Sequence, residues 1–179
     1  MLNLKKLSRQ ANAMDIQQAI AHRFADHKYI IFNAYMFDWE SDYLSVNESS
    51  YVYECEIKVS VRDYQKDFNK KSKHILLENK KEGSLIPNKF FYATPRGLIA
   101  SINIPEYAGL IEVTEGPNGY TAEVVKNAPF LHREDVFKHI QPKLLDKFYH
   151  KYMRTEAENY RLLTEMEQLK ATGNRYLYV

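Results

Sequence analysis

Cysteine is almost missing from this 179-residue sequence; Cys55 stands alone. A disulfide within the chain is therefore excluded, as is a zinc site built on several cysteines. Glycine and proline are scarce too, with six of each. Their share falls below the roughly 12% usual for the pair, which argues against low complexity, collagen repeats and long disordered linkers. No apolar run is long enough to span a bilayer, and the N-terminus lacks the apolar stretch of a signal peptide. The expectation is a soluble, cytoplasmic protein with no membrane partner. An excess of one charge is also missing: 25 basic and 23 acidic residues leave a net +2. That disfavours a uniformly basic coat for nucleic acid. There is no glycine-rich phosphate loop and no internal repeat. The six histidines show no close paired spacing that would suit zinc.

What is present is 45% hydrophobic residues, enough for one core. Length predicts a single domain with an appendage. The near-neutral charge hides a segregation. Residues 29–57 carry six acidic and no basic side chains, a net −6. Residues 58–89 carry nine basic and four acidic ones, a net +5. Clustered carboxylates can hold a divalent cation and clustered lysines can hold phosphate. Charge alone favours a plainer reading, two solvated faces that compensate each other.

Hydrophobic periodicity predicts the elements. Residues 8–25 read as an amphipathic helix with Ala13, Ile16, Ile20 and Phe24 on one side. Residues 29–36 read as a strand. Residues 40–46 and 51–60 read as a hairpin around the turn residues 47–50. In its second strand Tyr53, Cys55, Ile57 and Val59 point one way, and Glu54, Glu56, Lys58 and Ser60 the other. Residues 62–82 suit a solvent-facing helix ending at Gly83, with Tyr64, Phe68, Ile75 and Leu76 as a narrow apolar stripe. Residues 89–94 are a buried strand stopped by Pro95, and 110–114 pairs with 120–126 around a Gly-Pro-Asn-Gly turn. Pro142 fits the first turn of a helix running to about Ala171, with Gly173 as its stop. A helix of about thirty residues is roughly 45 Å long. Leu145, Phe148, Tyr152, Thr155, Asn159, Leu162, Met166 and Leu169 repeat on it at heptad spacing. Docking onto its own sheet and a homodimer through residues 142–171 are both open.

The chemically sharp pattern is Asp42, a hairpin, then Glu56-Ile57-Lys58. Glu56 and Lys58 emerge from one strand face, and the neighbouring strand can bring Asp42 alongside. Phosphodiester hydrolysis needs such a set. Two carboxylates, with the Ile57 carbonyl, can hold Mg²⁺ or Mn²⁺. The metal lowers the pKa of a bound water, and a lysine orients that water and stabilises developing charge.

The words around this pattern carry a resemblance. Residues 40–74 (ESDYLSVNESSYVYECEIKVSVRDYQKDFNKKSKH), 87–99 (PNKFFYATPRGLI), 104–113 (IPEYAGLIEV) and 126–134 (KNAPFLHRE) resemble the MmcB-like DNA-repair group, phage-encoded members included, of the PD-(D/E)xK nuclease superfamily. The resemblance covers roughly residues 28–134 in order. It implies an α/β fold: a restriction-endonuclease-like core with a central mixed sheet flanked by helices, its metal site on the two hairpin strands. Residues 1–134 would form that domain, and 135–179 a C-terminal helical extension. Asp42 and Glu56 map onto the acidic positions and Lys58 onto the lysine. Glu40 shares the spacing of the Asp42 face, as a supporting residue or alternative ligand, and Ser60 is a second supporting candidate. The first helix offers Asp15, Gln17 and Gln18, none of which can be assigned to the superfamily's further acidic position.

Lys66, Lys70, Lys71 and Lys73 are candidates for phosphate contact, or else members of helix ion pairs such as Asp63–Lys66. Cys55 reads as core, and His74 and His132 as structural hydrogen-bonding or exposed residues, with assistance at a phosphate as the rival reading. Most tyrosines and phenylalanines read as core, and Gly109 as backbone punctuation. The functional expectation is a Mg²⁺-dependent DNA nuclease acting in repair or recombination. Its rivals are a catalytically inactive nuclease-fold module binding DNA or protein, and a scaffold organised by the 142–171 helix.

Overall fold

The computed structural model describes residues 11–79 and 83–173, so the ends of several expected elements (residues 8–10 and 80–82) lie outside the described residues. The chain divides into two units, Met1–Ile140 and Gln141–Val179. The first unit holds a six-stranded mixed sheet flanked by helices, the α/β architecture expected of a restriction-endonuclease-like core.

Helix α1 (Ala13–Arg23) starts at a reciprocal cap, where Asn12 accepts from the Asp15 backbone and Asp15 accepts from that of Asn12. Strands β1 (Tyr29–Tyr35), β2 (Glu40–Val46) and β3 (Val52–Ile57) follow as an antiparallel meander. The chain then crosses over through α2 (Val61–Asp67) and α3 (Lys71–Asn79) into β4 (Lys89–Pro95), which pairs parallel to β3. Strand β5 (Ala108–Gly116) is parallel to β4, and β6 (Gly119–Lys126) closes an antiparallel hairpin around the expected turn. Spatial order equals chain order.

Both sheet faces are covered. Ile16, Ile20 and Phe24 of α1 pack with Tyr43, Cys55, Ile57, Phe91 and Ile111 on one side. Ala19 joins this face, whereas the expected Ala13 is exposed. On the other side Tyr64 and Leu77 pack with Phe90, Tyr92 and Leu110. The alternation read along residues 51–60 therefore separates two interiors, and Glu54, Glu56 and Lys58 are buried as completely as Cys55.

The single solvent-facing helix expected over 62–82 is two helices instead. The Asn69 and Lys70 amides donate to the Lys66 and Asp67 carbonyls, tightening the chain at the end of α2. The break lets α2 and α3 choose their inward faces separately. Tyr64, Asp67, Lys73 and Leu77 turn inward, and Phe68 and Ile75 outward.

The long helix, α4 (Val136–Gly173), begins earlier than Pro142 because Asp135 accepts from the Lys138 amide. Val136 and Ile140 are buried in the first unit, and Phe137 stacks on Tyr29. The division after Ile140 thus falls six residues later than the expected break after 134. No helix among the described residues is long and apolar enough to cross a membrane.

Gly109 shows why one position in β5 lacks a side chain. A Cβ there would lie 2.5 Å from a Phe91 ring carbon and 2.6 Å from the Ala128 amide nitrogen. Gly109→Ala is expected to cost about 1–3 kcal/mol through overpacking, seen as a lower Tm. An unchanged Tm would show that β4 and the 128 segment give way freely.

Candidate functional site

Strands β2 and β3 build the site between them. Tyr43 stands opposite Cys55, so Asp42 comes beside Glu56 on the same face. The Ile57 amide donates to Asp42 Oδ2 at 2.7 Å, which ties the carboxylate to the end of β3. Asp42, Glu56, Ile57 and Lys58 line one open cleft of about 490 Å³, together with Gln17, Asn33, Asp63 and Lys70. The three residues expected to carry chemistry therefore meet in one place.

Beneath the cleft lies a buried ionic lattice. Glu56 Oε1 accepts from Lys58 Nζ at 2.7 Å and from Lys70 Nζ at 2.9 Å, while Oε2 accepts from Lys73 Nζ at 2.6 Å. Lys58 also donates to Asp67 Oδ1 at 3.0 Å, and Lys70 lies 3.0 Å from the same oxygen. Tyr92 donates to Asp67 Oδ2, and His74 bridges the Asp67 carbonyl and the Tyr107 hydroxyl. Lys73 reaches Glu54 at 3.2 Å and sits over the rings of Trp39 and Phe90. The Trp39 indole donates to Glu54 Oε1 at 2.7 Å.

The electrostatics follow from this wiring. Burial pushes the Glu56 carboxyl up, but Lys73 and Lys58 overcome it and hold it below its usual range. Asp67 behaves likewise: burial is outweighed by the His74 hydrogen bond and the lysines, so its carboxyl lies well below normal. Asp42 differs. Burial and the neighbouring Glu56 charge raise it, and the Ile57 amide and two lysines only partly offset them. Burial also raises Glu54, whose Oε2 has no partner among the described residues. Glu54, Glu56 and Asp67 are balanced by Lys58, Lys70 and Lys73, and Asp42 is the carboxylate left over.

The other expected site residues fall elsewhere. Lys66 and Lys71 are exposed, and the Lys70 side chain is 51% exposed at the cleft. Lys73 is 2% exposed and enclosed by Glu54 and Glu56, so its charge is spent inside the fold and not on a phosphate. Glu40 is exposed and does not line the cleft. Ser60 caps α2 by accepting from the Asp63 amide, a local role that occupies its hydroxyl. Cys55 is buried, and His74 and His132 make structural hydrogen bonds.

Sequence reasoning missed three contributors and named a fourth, Gln17, without assigning it a role. Gln17 lines the cleft beside Ala13 and Met14 of α1, and its amide donates to Asn33 Oδ1 at 2.8 Å and to the Asp42 carbonyl at 3.0 Å. Asn33 adopts φ 48°, a left-handed conformation inside β1, opposite Asp42. Asp67 and Glu54 complete the lattice. Asn33 had no signal beyond an asparagine interrupting an apolar strand. Asp67 lay in a word read as surface helix.

No group of three histidine, cysteine or acidic residues among those described is arranged to hold a metal ion. The donor set still fits a hard cation. Asp42 Oδ1 accepts no hydrogen bond among the described residues, and Asp42 and Glu56 repel each other. Waters and substrate phosphate oxygens are what magnesium adds to one or two carboxylates. Glu56 Oε1 is shared with Lys70, the exposed lysine of the three.

No family model and no curated protein matches the chain. Among solved structures it is similar to the SPO1766 protein of unknown function from Silicibacter pomeroyi. Identity is 15%, the match covers 82% of this chain and 92% of that one, and the TM-score is 0.63. At that identity the likeness speaks for the fold.

The lattice sets a pH dependence. Glu56 and Asp67 have depressed carboxyls, so their stabilisation is present above their ordinary pKa values near pH 4 and is lost as pH falls through the folded values. Asp42 and Glu54, being raised, run the opposite way. Asp67→Asn should lower the Tm at neutral pH, with the gap to wild type starting to narrow below about pH 4 and still open at about pH 3. Lys73→Met should cost about 3–5 kcal/mol by stranding two buried carboxylates. A Tm difference that stays constant from pH 7 into acid would contradict the assignment of Asp67.

Proposed function

We propose that the chain is a Mg²⁺- or Mn²⁺-dependent nuclease that hydrolyses phosphodiester bonds in DNA, in repair or recombination. The observation that carries this reading is the convergence of Asp42, Glu56 and Lys58 on one cleft, with Asp42 anchored across the strands to the Ile57 amide. Asp42, Glu56 and the Ile57 carbonyl would hold the cation, with the Gln17 amide beside them. When bound, the cation supplies charge neutralisation at the phosphate and a water acidified enough to attack it.

The chain's own residues do the rest. Lys58 is held between Glu56 and Asp67, so its ammonium is fixed without a substrate and needs no ordering when charge develops at phosphorus. The Ile57 amide keeps Asp42 facing the cleft. Lys66 and Lys71 offer charge for backbone phosphates, which carry no base identity. For Glu56 Oε1 to serve as a ligand, Lys70 would have to release it, and the half-exposed Lys70 side chain has solvent to move into.

Cleavage of single-stranded, duplex, gapped and branched DNA with Mg²⁺ or Mn²⁺ tests this reading. Asp42→Ala, Glu56→Ala and Lys58→Ala are each expected to lose at least about 10²-fold in rate. Equal, background-level cleavage by wild type and all three variants on every substrate would sink the enzymatic claim. Calorimetry with Mn²⁺ adds a second readout. Asp42→Asn should abolish uptake, and Lys70→Gln should tighten it several-fold by removing the competing ammonium.

One observation favours a second reading, a nuclease-fold module that binds DNA or protein without cutting. Both Glu56 oxygens are already satisfied by lysines. DNA binding with no Mn²⁺ uptake, in wild type and Lys70→Gln alike, is its signature.

A further inference from the structure

Helix α4 carries a face that the proposed reaction does not use. In the second unit Leu145, Tyr152, Leu162 and Met166 are exposed. They sit on a seam from Leu145 to Leu169 with alternating spacings of three and four, just over three heptads long. A seam of that length on an exposed helix is an interaction surface of the coiled-coil kind.

Charge identifies the occupant. Residues 143–154 hold four basic side chains and one acidic one, whereas residues 156–170 hold four glutamates and two basic ones. Arg161 is already engaged by Glu158 and Glu165 of its own helix. The helix is thus basic in its first half and acidic in its second. We propose that this face docks a second copy of the chain, with the two helices antiparallel.

In that arrangement each basic half lies along an acidic half. A parallel, in-register pair would stack like on like within a Debye length. The seam agrees with the charge. Mirrored about residue 157, Leu145 meets Leu169 and Tyr152 meets Leu162, while Phe148 is half-buried and already engaged within its own chain. The two polar positions coincide as well: Thr155 of one copy meets Asn159 of the other, so a hydroxyl and an amide can satisfy each other in the middle of the interface. Apolar layers meet apolar layers, and polar meets polar. The inference is independent of the nuclease reading, because none of these residues lines the cleft.

Light scattering of the full chain at micromolar concentration should give twice the 21.1 kDa chain mass. Tyr152→Asp and Leu162→Asp, both at exposed positions, should each halve it while leaving the circular dichroism of the fold intact. Disulfide trapping then reads orientation, with Cys55 buried and out of play. Leu145→Cys mixed with Leu169→Cys should cross-link readily. Either variant alone should not, since like ends lie about 36 Å apart along the antiparallel pair. A monomeric wild type, as expected if the helix docks on its own sheet, overturns the proposal. So does rapid cross-linking of Leu145→Cys to itself, which marks a parallel pair.

Discussion

Glu56 is a buried carboxylate under three ammonium groups, and the first unit is organised around keeping it ionised. A lone carboxylate in that position would be expensive to bury. Lys58 directly follows β3, Lys70 lies at the junction of α2 and α3, and Lys73 is in the first turn of α3. The contacts to Glu56 therefore tie β3 to α3 and fix where the crossover sits on the sheet. Asp67 performs the matching task for the lysines. It accepts from Lys58 and Lys70 and is itself held by Tyr92 and His74, which connect it to β4 and, through Tyr107, to the entrance of β5. Removing one member of such a lattice strands the others.

The lattice also explains the helix break between residues 68 and 70. A continuous helix places residues 67, 70 and 73 in a row, but it cannot also turn Tyr64 and Leu77 inward against one twisted sheet. Splitting it lets α2 deliver Asp67 to Lys58 and α3 deliver Lys73 to Glu56 within one lattice. The apolar stripe is short on both pieces because ionic contacts share the packing face.

Much of the site was legible in the sequence. Strict alternation over residues 53–60 placed Glu56 and Lys58 on one face, and the hairpin brought Asp42 to it. What alternation could not tell was that the polar face is interior. Charged residues at every second position read as solvent-facing unless a partner is known, and apart from the Glu56–Lys58 contact the partners here are nine to nineteen residues away. Lys73 was misplaced for the same reason: in a polar helix a lysine that meets buried glutamates looks like one that meets water. Gln17 escaped because its contribution depends on where α1 crosses the sheet, and Asn33 because a left-handed residue leaves little trace unless it is a glycine. Strand boundaries in β2 were close to expectation, while the start of α4 was set by Asp135, a cap that Pro142 overshadowed.

The charge segregation takes on a different meaning once the fold is known. The acidic block supplies Glu54 and Glu56, and the basic block supplies Lys58, Lys70 and Lys73. They compensate each other inside the molecule and not across two solvated faces. With Asp67 the lattice sets three buried carboxylates against two buried lysines and the half-exposed Lys70, so near-neutrality is a requirement of burial. Asp42 stands outside that balance, at the mouth of the cleft, raised by burial and by Glu56. A lattice that neutralises itself has no electrostatic need for a fourth carboxylate on its open side. Asp42 and Glu54 are the two raised carboxylates, and of these Asp42 is the one that lines the cleft, where a cation would relieve the cost of its charge.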